Sequence, residues 1–151
     1  MTSSKLIRLS SVYAIVALVS GVFYREFTKM MDFSGKTTLS LVHVHLFVLG
    51  TLLFLLLALF SQITDLTGQK HWKTFYRLYN ISLPFMAVMF AVRGVIQVVQ
   101  PSLSRGADAA VSGIAGISHI LMTICLILLF SALKGCVKSN GKEQKEKVKQ
   151  N

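Results

Sequence analysis

The chain has 151 residues, of which 53% are hydrophobic and 15% charged, against about a quarter charged in ordinary soluble domains; its mean hydropathy is +0.61. A single domain of this length cannot hide four long apolar runs in a soluble core, whereas in lipid they need no hiding. The formal net charge of +10 does not point to nucleic acid, because the bases collect at the ends of the apolar runs and in the tail, where membrane topology accounts for them.

The first apolar run is Ser10 to Phe23, and extending it from Leu6 to Tyr24 supplies the roughly 20 residues a span needs. It follows Lys5 and Arg8 as a signal peptide would, but no A-x-A-like site comes after it; YREFTKM does. The second run, Leu39 to Phe60, contains LFVLGTLLFLLLALF. Between spans two and three, HWKTFYR at 71–77 reads as an interfacial aromatic and basic anchor. The third span covers about 80–99 and the fourth about 109–133. Residues 136–151, including GKEQKEKVKQN, read as a basic disordered tail able to lie on anionic headgroups. The expected fold is therefore all-α: a four-transmembrane-helix bundle over 1–135, up-down-up-down, with consecutive helices adjacent. In a square bundle of this kind spans two and four stand on the diagonal.

The bases orient it. Eleven lie on one side (Lys5, Arg8, Lys70, Lys73, Arg77 and the six lysines after span four) and four on the other (Arg25, Lys29, Lys36, Arg105). The positive-inside rule then puts both termini in the cytoplasm of a multi-pass cell-membrane protein.

Ionisable residues inside spans are costly and mark candidate sites. Here they are His43 and His45 in span two, Arg93 in span three and His119 in span four, all in the outer half; none of the six acids falls deep in a span. Positions two apart on a helix lie about 200° apart, so His43 and His45 face opposite sides of span two and make no compact metal site together. Cys125 reads as packing, and neither it nor Cys136 belongs to a CxxC. Ser112, Gly116 and His119 share a stripe on span four, either a packing face of small residues or room for a flat macrocycle. Gly50, seven residues after His43, either plays the same part or admits a neighbouring helix.

A haem suits these residues. Neutral imidazoles of His45 and His119 would be its axial ligands, and Arg93 would pair with a propionate. His43 would hold a second haem or a structural hydrogen bond. The expected cofactor is haem b, serving electron transfer, gas binding or haem handling. Copper bound by His43, His45 and His119 with Met86 or Met89 is the alternative, and an accessory subunit without cofactor is a third. The expected partners are the lipid bilayer, a second copy in a homodimer, and a redox partner or quinol, with no nucleic acid.

The H-x-H-x4-G of LVHVHLFVLG resembles the haem-ligand helix in the catalytic subunit of haem-copper oxidases and nitric-oxide reductases, which implies histidines that serve two haems on opposite faces. More widely, YREFTK at 24–29, HVHLFVLG at 43–50, YRLYN at 76–80, VRGVIQVV at 92–99 and SGIAGISHI at 112–120 resemble a family of small four-span membrane proteins of Gram-positive bacteria catalogued as a domain of unknown function. That resemblance implies the architecture and no activity.

Overall fold

A computed structural model describes residues 3–99 and 103–150, with side chains to Ser139. The described residues are helical with short connections: α1 Ser3–Met30, α2 Leu39–Ile63, α3 Trp72–Val99 and α4 Arg105–Gln150. All four helices are long and apolar enough to cross a membrane. The helices extend past the apolar runs: α3 begins at Trp72, and the backbone of α4 continues through 136–150, where Lys, Glu and Gln are good helix formers. The side chains of the basic tail after Ser139, and Asn151, lie outside the described residues.

The ends are set by local chemistry. Asp32 stops α1 with a left-handed φ of 48°. Its N–H meets the Lys29 carbonyl at 3.2 Å and the Phe33 N–H meets that of Thr28 at 2.9 Å, the paired bonds of a Schellman cap. At the start of α4, Ser104 Oγ accepts the Ala107 N–H at 3.2 Å, and Asp108 in the first turn complements the helix dipole.

α2 is one rod with an irregular middle. Leu46–Leu52 is wound as π-helix, immediately after His45. Widened turns weaken the carbonyl ladder, and neighbouring helices repair it. Tyr79 Oη donates to the Leu49 carbonyl at 2.9 Å, and Ser10 Oγ donates to that of Thr51 at 2.8 Å. In lipid, where no water substitutes, such repair is obligatory.

Helix α1 packs most extensively along α2, and α3 packs against α2 and more widely against α4. The α3–α4 seam has a spacing of three and four: Trp72, Phe75, Tyr79, Ser82, Met86 and Met89 on one side, Ser118, Met122, Cys125, Leu129, Ala132 and Cys136 on the other. That period of 3.5 gives knobs-into-holes packing. Cys125 Sγ donates to Ser82 Oγ at 3.5 Å across it. Among the described residues the extensive packing follows chain order, α1 with α2, α2 with α3 and α3 with α4, with no extensive seam between α1 and α4; apolar faces gain little from closing a ring when the solvent is hydrocarbon.

Trp72, 2% exposed, and Phe75, fully buried, correct the interfacial reading of HWKTFYR. With Tyr76, Tyr79, Phe54 and Tyr13 they form an aromatic cluster in the core near one end of the bundle.

Candidate functional site

The start of α2 is bolted to α3. Thr37 Oγ1 donates to the Gly94 carbonyl at 2.9 Å, Thr38 Oγ1 to the Phe90 carbonyl at 2.9 Å, and the Thr38 N–H to Gln97 Oε1 at 2.7 Å. Gly94 makes this possible: a Cβ there would collide with the Leu39 backbone. The bolt sets His45 against Phe90, with ring centroids 4.7 Å apart. From α4, His119 meets the same Phe90 ring edge-on at 5.4 Å. The two distances together cap the separation of the imidazoles, so the structure brings His45 and His119 to one neighbourhood.

Both imidazoles are held alike. His45 Nδ1 lies 2.8 Å from the Leu41 carbonyl and His119 Nδ1 lies 2.9 Å from that of Ala115, each four residues back on its own helix. A carbonyl only accepts, so Nδ1 is the donor in each, and in the neutral imidazole Nε2 then keeps its lone pair. This is the arrangement that orients metal-ligating histidines. His45 is half-buried and His119 exposed on the bundle surface, where a lipid-facing imidazole has no water to satisfy it.

His43 points the other way, as the helical spacing requires. It lies against α1, its ring stacked on Tyr24 at 6.3 Å and beside Gly21. It joins neither His45 nor His119. Among the described residues no three His, Cys, Asp or Glu side chains gather around a possible metal position.

The four other expected site residues have distinct surroundings. Gly50 is filled by its neighbour: a Cβ would lie 2.5 Å from Tyr13 Cγ, so it admits α1 and offers no room to a ligand. Gly116 has nothing within 4 Å of a Cβ position, and Ser112, Gly116 and His119 form an open stripe on the exposed face of α4. Arg93 is paired with Asp108 through Nη1. Asp108, one of the six acids that fall outside the deep part of the spans, is the partner that the sequence does not indicate. The side chains are 31% and 52% exposed, so the pair ties α3 to α4 at the rim and leaves other guanidinium donors free.

Phe90 and the π-helical turn are the parts that sequence reasoning missed. Phe90 looks like any span phenylalanine until two histidines from other helices are seen to share it. Below the histidines, α2 and α4 part to leave an apolar groove of about 730 Å³ between Leu53, Leu57 and Phe60 on one side and Leu126, Leu129 and Phe130 on the other.

A family model described as "Protein of unknown function (DUF2871)" matches residues 3–136. No curated protein and no solved structure matches the chain.

Proposed function

We propose that this chain, which belongs to the DUF2871 family, is a haem-b-binding protein of the cell membrane that carries electrons, with His45 and His119 as axial ligands. The observation that carries this reading is the shared setting of the two histidines: both rest on Phe90, and both give Nδ1–H to the carbonyl one turn back, which leaves Nε2 for iron. A haem supplies a one-electron iron couple. His45 and His119 would hold the iron from both sides and leave no open position, which favours electron transfer over gas binding.

The residues around the pair suit a macrocycle. Open space at Gly113 and Gly116 lets a flat ring approach the α4 backbone. Phe90 is half-buried, and it serves as a wall for the ring or swings aside for it. Arg93, three residues further along α3, meets Asp108 through one nitrogen and has donors left for a propionate. His43 faces α1 and takes no part in this site. Orientation follows from the eleven-to-four distribution of bases, which favours cytoplasmic termini and puts the histidine end outside.

The test is an absorption spectrum of protein purified from haem-replete cells, oxidised and then dithionite-reduced. Sharp α and β bands of a low-spin haem b are the expected result. A colourless preparation after haem supplementation contradicts the reading, and copper in that preparation would transfer the site to copper.

A further inference from the structure

Two cavities lie near one another along the α1–α2 side of the bundle. One, of about 400 Å³, opens at the α1–α2 connection among Tyr24, Lys36, Ser40 and Gln97. The other, of about 340 Å³, lies deeper between α1 and α2, with Leu18, Val22 and Phe47 as its apolar walls and Arg25 and His43 in its lining. Tyr24 joins them, since it lines the first and stacks on the His43 that lines the second.

The donors here are divided unevenly. The Thr38 and Ser40 hydroxyls are committed to the Phe90 and Thr37 carbonyls, and Gln97 Oε1 to the Thr38 N–H. Among the described residues, Lys36 has no acidic partner and Arg25 meets only Glu26, at 3.8 Å. The buried Nδ1 of His43 has no partner either. What remains open is cationic at the rim and hydrocarbon below, complementary to an anion carrying a long apolar chain. A free phosphate would satisfy only the upper cavity.

We infer that the two cavities together hold one anionic phospholipid. Its phosphate is met by Lys36 and Arg25 with the Tyr24 hydroxyl, and an acyl chain lies along Leu18, Val22 and Phe47. The lower cavity, with His43 and Phe47, is on the opposite side of α2 from His45, and lipid binds there with or without a haem.

Native mass spectrometry of the delipidated full-length protein, titrated with phosphatidylglycerol or phosphatidylcholine, tests this. One phosphatidylglycerol should be retained, bound about fivefold more tightly than phosphatidylcholine for each cation engaged. Lys36→Gln should erase most of that preference and Lys36→Arg should keep it. Phe47→Ala should weaken retention of both lipids, with helicity by circular dichroism confirming that each variant is folded. Equal retention of the two lipids by the wild type overturns the inference, as does an undiminished preference in folded Lys36→Gln. Displacement of the lipid by millimolar inorganic phosphate would overturn the lipid as the source of the anion.

Discussion

His45 and His119 come from different helices yet share one ring and one tautomer. Each gives its Nδ1 proton to the carbonyl four residues back, and each rests on Phe90. Imidazole ¹⁵N shifts of the neutral rings in the cofactor-free protein should therefore report a protonated Nδ1 and a bare Nε2 at both positions. His43, whose Nδ1 has no partner, has no such bias. A protonated Nε2 at either His45 or His119 would remove the lone pair that the proposed site needs.

Glycines in the spans divide into two kinds. A methyl group at Gly94 meets the Leu39 backbone, which cannot rotate away, and one at Gly50 meets the Tyr13 ring. Gly94→Ala and Gly50→Ala should each cost about 1–3 kcal/mol, as overpacking does. Gly113→Ala and Gly116→Ala fall in open space and should be neutral or gain up to about 1 kcal/mol from helix propensity. Thermal unfolding in detergent compares all four.

The π-helical stretch depends on two hydroxyls. Tyr79→Phe orphans the Leu49 carbonyl and Ser10→Ala that of Thr51. Each should cost about 0.6–2 kcal/mol, the range of hydrogen bonds between membrane helices. Loss of both together should exceed either alone, read in the same unfolding assay.

Much of this was legible from sequence because the bilayer is a strict solvent. Runs of roughly 20 apolar residues have one solution in lipid, and 3.6 residues per turn forces His43 and His45 apart. The open packing was harder to read, since each span is apolar nearly all round and hydropathy does not say which face meets which helix. The π-helical turn lies inside LFVLGTL, whose residues suit α-helix equally well; the hydroxyls that meet its carbonyls come from α1 and α3. The Arg93–Asp108 pair is hard to read because the two residues are fifteen apart and belong to different elements. Trp72 looked interfacial by composition, and only packing shows the core closing over it.

Asp32 in a left-handed conformation at the end of α1 carries strain that glycine does not. Asp32→Gly should raise stability by up to about 1 kcal/mol, with the Schellman bonds kept. A loss of stability would mean that the carboxylate contributes more than the cap geometry shows.

The pairing of His45 with His119 is tested most directly by the dithionite-reduced spectra of three variants beside the wild type. His45→Ala and His119→Ala should each lose the low-spin α and β bands, and His43→Ala should keep them. Bands that survive in either of the first two, or vanish in the third, would contradict the assignment.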